Sequence, residues 1–177
     1  MDEQKSIETT KISITLPTAA YFMSGIRDFT MGLIKNTTSF GEQWAFRFQS
    51  IVDELCNNAI EFGSNEGDDI TILFTYEPEK YIEISVEDSG KNGTKAEDLR
   101  KLVEERSKPG YQPEGIRGRG LAMIVKAWSD ELNFEDTEKG GIKVIVRKNL
   151  GQEVAKEESN EDLEIKPQTE INTMNIN

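Results

Sequence analysis

Two runs of alternating apolar residues, set back to back, constrain this chain more than any other stretch. Ile70, Ile72, Phe74 and Tyr76 fall at every second position, as do Ile82, Ile84 and Val86, with Glu77-Pro78-Glu79-Lys80 between the runs. A period of two puts the apolar side chains on one face of each strand, and the short polar link returns the chain antiparallel. Such a hairpin has one apolar face that another layer must cover. The cover lies upstream. Trp44, Phe48, Ile51, Leu55 and Ala59 follow the helical period within a predicted helix over residues 43–62, which Gly63 stops. Phe22, Ile26, Phe29 and Leu33 make a second apolar stripe in an earlier helix, with Asn36-Thr37-Thr38-Ser39 as the break between the two.

The remaining segments extend this plan at both ends. Ile12, Ile14 and Leu16 alternate and predict a first strand over residues 7–16, ended by Pro17-Thr18. Leu132 and Phe134, the turn Glu138-Lys139-Gly140-Gly141, and Ile142, Val144 and Val146 predict a closing hairpin. Residues 91–117 are polar and carry Gly93, Pro109, Gly110, Pro113 and Gly115; only Leu99, Leu102 and Val103 suggest a short helix there. A connection of that length inside a compact domain is either functional or disordered. Leu121, Ile124, Val125 and Trp128 then restore a helical stripe. The expected fold is a two-layer α/β sandwich, a mostly antiparallel sheet covered on one face by helices, over residues 1–150. Residues 151–177 are acidic and poor in large apolar side chains, and are expected to form a flexible tail.

Composition removes several classes of function. The formal charge of -12 argues against an extended nucleic-acid surface, although Arg117 and Arg119 are enough to hold a phosphate. With no histidine, the chain has neither a histidine phosphoacceptor nor a histidine metal site. Its single cysteine, Cys56, sits within the helical pattern as a core side chain and rules out a disulfide or a cysteine-rich zinc site within one chain. No stretch is apolar enough to span a membrane and the N-terminus has no apolar run, so a cytoplasmic location and no membrane partner are expected.

Three separated segments carry residue types suited to chemistry. Glu54 and Asn58 are four apart and share one helical face. An amide oxygen can complete the octahedral shell of Mg²⁺, and a carboxylate one turn away can deprotonate a water or hydroxyl. Asp53, turned about 100° off that face, is the second choice of acid. Asp88-Ser89-Gly90 follows a strand, where Asp88 can accept from the exocyclic amine of adenine and Gly90 permits close backbone approach. Gly118-Arg119-Gly120 opens the Leu121 helix and can offer bare amides to a phosphate. Each has an ordinary reading as well: solvated helix surface for the first, turn formers for the second, a flexible loop for the third.

Taken in order, the segments resemble the ATP-binding fold shared by gyrase, the heat-shock chaperone, histidine kinases and MutL proteins, and in detail its bacterial anti-sigma factor branch of serine/threonine kinases. Glu54, Asn58, Ala59, Ile60 and Gly63 match the first motif, with Phe62 where histidine is usual. Asp88 and Gly90 match the second, whose last glycine is replaced by Asn92 with Gly93 one place later. Gly118, Gly120, Leu121, Ile124, Asp130, Glu131 and Leu132 match the third. The resemblance covers about residues 7–149. It implies ATP and Mg²⁺ as cofactors, Glu54 as general base, Asn58 as magnesium ligand and Asp88 as the adenine contact. Residues 91–117 would form a lid, with Arg117 and Arg119 on the phosphates. It further implies a sigma factor and an anti-sigma antagonist as protein partners, phosphorylation of the antagonist, and a homodimer. Alternatives are a regulator whose catalysis has decayed, suggested by Phe62 and Asn92, and the catalytic module of a split histidine kinase.

Overall fold

The computed structural model describes residues 8–91, 93–108, 121 and 127–151. Strands β1 (Thr10–Pro17), β2 (Asp69–Glu77), β3 (Tyr81–Glu87), β4 (Glu131–Asp136) and β5 (Ile142–Asn149) form one sheet in the order β1-β2-β3-β5-β4. Every neighbouring pair is antiparallel. Helix α1 (Met23–Thr37) follows a single 3-10 turn (Ala20–Phe22), and α2 (Glu42–Asn58) runs on into a π-helical turn (Ala59–Gly63). Helix α3 (Ala96–Arg106) lies between β3 and β4 in sequence.

Register explains why this sheet needs a helical layer. Ile14, Ile72, Val86, Val144 and Phe134 stand opposite one another across all five strands, and Ile12, Phe74, Ile84, Val146 and Leu132 form the adjacent row. Ile72, Val86, Phe74, Ile84 and Val146 of these rows are buried together with Ile26, Leu33 and Ile34 of α1 and with Phe48, Ile51, Val52 and Leu55 of α2, and Val144 packs against them partly covered. Each large side chain so enclosed contributes about 2 kcal/mol by leaving water. Thr30 sits in the same layer without penalty because its hydroxyl donates to the Ile26 carbonyl at 2.8 Å. The opposite sheet face carries Lys11, Ser13, Thr15, Thr71, Thr75, Glu83 and Arg147, and hydroxyls of Thr15 and Thr71 meet at 3.1 Å. Alternation along an antiparallel strand permits such a polar second face.

The expected two-layer architecture is therefore the observed one, with three differences of detail. The helix expected over residues 43–62 is α-helical only as far as Asn58; its last five residues are π-helical. The short helix expected among residues 91–117 is an eleven-residue element, started by Asp98, which reaches back to accept from the Lys95 amide at 3.1 Å. The first strand begins at Thr10 and takes in Pro17, which pairs with Asp69. Of the helix expected around Leu121–Trp128, only residues 121, 127 and 128 are described; most of the expected tail, and Asn92 and residues 109–117 of the expected lid, lie outside the described residues. Cys56 is fully enclosed, and burial, with the nearby Asp53 charge as a lesser cause, pushes its thiol up to about 12.

Candidate functional site

Helix α2 brings Glu54 and Asn58 to one side, where the Asn58 amide nitrogen donates to Glu54 Oε1 at 3.0 Å. That bond orients the amide: Nδ2 is spent on the carboxylate, and Oδ1 is the atom left to accept or to ligate. Asp53, one position away, is turned toward α1 and held by Arg27 Nε at 2.6 and 2.8 Å. Its carboxylate is thereby engaged in joining two helices.

The π-helical turn widens the end of α2 by one residue per turn, as such turns commonly do beside functional sites. It delivers Gly63 against the end of β3. A Cβ at position 63 would collide with Oδ2 of Asp88, so the helix end and the strand end can meet this closely only through glycine.

Asp88 is held by three hydrogen bonds to backbone groups. Its amide donates to the Ile142 carbonyl at 3.0 Å, and its Oδ1 accepts from the amides of Ile142 at 2.8 Å and Gly90 at 3.1 Å. The side chain thus replaces a backbone acceptor where the β3–β5 ladder runs out. Burial raises its carboxyl above the usual aspartate range, the two amide hydrogen bonds pull it back in part, and the Glu87 charge adds to the rise. Oδ2 makes no hydrogen bond to any described residue. Gly90, at φ 86°, packs on the Gly140 carbonyl, which a Cβ would strike. The expected close approach of backbone at Gly90 is thus to the neighbouring turn.

These groups line one cavity of about 440 Å³, a size suited to a small organic ligand. Glu54, Asn58, Ala59, Phe62 and Gly63 come from α2 and its π-helical end; Val86, Asp88, Ile142 and Val144 come from the strands. Leu99, Leu102, Val103 and Arg106 of α3 supply another part of the lining, with Leu55, Gly90, Lys91, Thr94 and Leu121 completing it. Four sequence-predicted residues, Glu54, Asn58, Asp88 and Gly90, are brought together here. Arg117, Gly118, Arg119 and Gly120 lie outside the described residues. The lid expected over residues 91–117 takes in α3, but sequence reasoning singled out neither its apolar side chains nor Arg106 as cavity lining, although the spacing of Leu99, Leu102 and Val103 carried the signal. Phe62, noted only as a departure from a motif, is a lining residue and 56% exposed.

The donor set fits a purine nucleotide. Apolar walls suit a base, a partly buried aspartate with one unused oxygen suits an exocyclic amine, and an unspent amide oxygen one turn from a carboxylate suits a hydrated magnesium ion among phosphates. An antiparallel sheet under helices, with that pocket between the strand ends and the helix terminus, is the layout of an ATPase-type nucleotide domain. The family of the histidine kinase-like ATPase domain matches residues 18–148, and the chain belongs to it. A comparison with curated proteins finds no match. Among the described residues no helix is long and apolar enough to cross a membrane.

Proposed function

We propose that this protein is an ATP-dependent anti-sigma factor and protein serine/threonine kinase, which sequesters a sigma factor and phosphorylates a small antagonist protein. The observation that carries the ATP part is the convergence of Glu54, Asn58, Asp88 and Gly90, from one helix and one strand end, on a single cavity. The anti-sigma part rests on the motif details of the sequence, within a family whose name already implies nucleotide binding.

Each residue has a definite task in this reading. Asp88 Oδ2 accepts from the adenine amine while Oδ1 stays tied to the backbone. Asn58 Oδ1 would ligate Mg²⁺, being the oxygen donor of an amide whose orientation is set by the bond from Nδ2 to Glu54. Mg-ATP, when bound, supplies the terminal phosphoryl group. Glu54 would take the proton of the antagonist's serine or threonine hydroxyl as that oxygen bonds to the terminal phosphorus and the bond from that phosphorus to the bridging oxygen breaks, ADP carrying the electron pair away. Arg117 and Arg119, outside the described residues, would hold phosphate oxygens on the strength of the motif resemblance alone. The phosphate placed on the antagonist weakens its docking by charge and desolvation, which frees the anti-sigma factor to bind its sigma factor. A homodimer belongs to the same proposal: β1 is an edge strand whose Ile12, Ile14 and Leu16 are only partly buried.

Calorimetric titration with ATP, with and without Mg²⁺, tests the pocket. Magnesium-dependent binding that disappears in Asn58→Ala is the expected result, followed by acid-stable phosphate on a partner protein in the presence of ATP. No binding to folded protein would sink the proposal. Phe62 in the cavity lining, at the position where the branch has histidine, favours as second reading a module that binds without transferring. Phosphoryl transfer that Glu54→Gln abolishes would dismiss that second reading.

A further inference from the structure

Beside the cavity, and outside its lining, a compact hydrogen-bonded clamp grips the residue that follows Asp88. Ser89 Oγ donates to Asp68 Oδ2 at 2.7 Å, and the Ser89 amide points to the Ser64 hydroxyl at 3.4 Å. The same Asp68 oxygen accepts from the Asn65 amide at 2.8 Å and from Asn65 Nδ2 at 3.2 Å. The turn is fixed in its own right. The Asp68 amide returns to the Asn65 carbonyl at 3.2 Å, and Thr18 straps it from outside, its amide donating to the Asp68 carbonyl at 2.9 Å and its hydroxyl to the Asn65 carbonyl at 3.0 Å. Ser64 is buried and directly follows Gly63, the residue pressed against Asp88 Oδ2.

We propose that Asp68 and Ser89 are positioning residues that set the direction of the Asp88 carboxylate and thereby the choice of base in the pocket. This inference rests on the nucleotide reading of the cavity. A carboxylate selects an amine over a carbonyl only if its free oxygen is held at a fixed place, because a mobile group can turn away from the wrong partner. Oδ1 is tied to two amides, of which Ile142 opens strand β5 whereas Gly90 belongs to the same turn as Asp88, so that half of the hold is only as firm as the turn. The clamp on Ser89 joins the Asp88 turn to the Asn65–Asp68 turn ahead of β2, which Thr18 in turn ties to the end of β1. Neither Asp68 nor Ser89 lines the cavity, so neither touches the base. Their effect passes through Asp88 alone.

The test compares ATP with ITP, which carries a carbonyl in place of the exocyclic amine, by calorimetry on the full chain and on Ser89→Ala, Asp68→Ala and Ser89→Thr. Wild-type protein is expected to prefer ATP. Ser89→Ala and Asp68→Ala are expected to shrink the ATP-to-ITP affinity ratio about tenfold by weakening ATP, whereas Ser89→Thr, which keeps the hydroxyl, retains the ratio. A purely structural bond would lower the melting temperature and weaken both nucleotides alike, and an unchanged ratio in folded Ser89→Ala would overturn the inference while leaving the nucleotide site standing. Should Asp68→Ala not fold, the serine pair decides alone. Wild-type protein that binds neither nucleotide would overturn the underlying reading, and this inference with it.

Discussion

At the scale of single residues, Asp88 combines two opposed demands. It must be ionised to accept from an amine, yet burial favours its protonated form. Because the folded-state value is raised, Asp88 contributes stability below its unfolded value and loses that contribution as pH rises through the folded one; ligand binding runs the other way. ATP affinity should therefore fall as pH drops through the raised Asp88 value, starting above the usual aspartate range, and Asp88→Asn should remove that pH dependence while weakening ATP. Titrations across the mildly acidic range would read it, and a flat profile in the wild type would count against Asp88 as the base contact. Asn58 makes a sharper prediction. Asn58→Ala should lose about tenfold or more of ATP affinity in Mg²⁺ and little in EDTA, since only the metal-dependent part uses Oδ1. Gly63→Ala drives a methyl group into Asp88 Oδ2, so a loss of about 1–3 kcal/mol is expected in urea denaturation, together with weaker nucleotide binding.

Among the elements, α3 is the one whose attachment is narrow. Its first amide, at Ala96, donates to Asp136 Oδ1 at 3.0 Å, and Arg100 Nη2 donates to the Phe134 carbonyl at 3.0 Å. Both anchors lie on β4, while the apolar side of the helix lines the cavity. Asp136→Ala should cost about 1 kcal/mol as a lost helix cap, and amide exchange should accelerate in α3 while β2 and β3 stay protected. The strands and α2 were legible in the sequence because alternation and helical period are local signals, strong in Ile70–Tyr76 and Trp44–Ala59. The length of α3 was not, since its partner Asp136 stands 40 residues further along and its stripe holds only three apolar residues. The π-helical end of α2 was equally hidden: Ala59–Gly63 has an ordinary helical composition, and its widened turn answers to the packing of Gly63 on Asp88.

For the molecule as a whole, the polar sheet face and the half-covered β1 frame the assembly prediction. Light scattering at micromolar concentration should give the mass of two chains, and a mass of one chain would remove the homodimer from the proposal. Of the candidate site, Glu54, Asn58, Asp88 and Gly90 were legible in the sequence because their order along the chain forms a set, although each residue is ordinary at its own place. The clamp of Asp68, Ser64 and Ser89 was not, because serine and aspartate in turns are everywhere, and only the fold shows that these two turns touch. One buried group offers a different use. Cys56 lies on α2 between Glu54 and Asn58, sealed from solvent, with burial raising its thiol well above the usual cysteine range. A thiol-reactive dye can reach it only when the helical layer lifts from the sheet, so the labelling rate is a built-in clock for that opening, and the slowing of the clock by a nucleotide would measure how far the ligand holds the two layers shut.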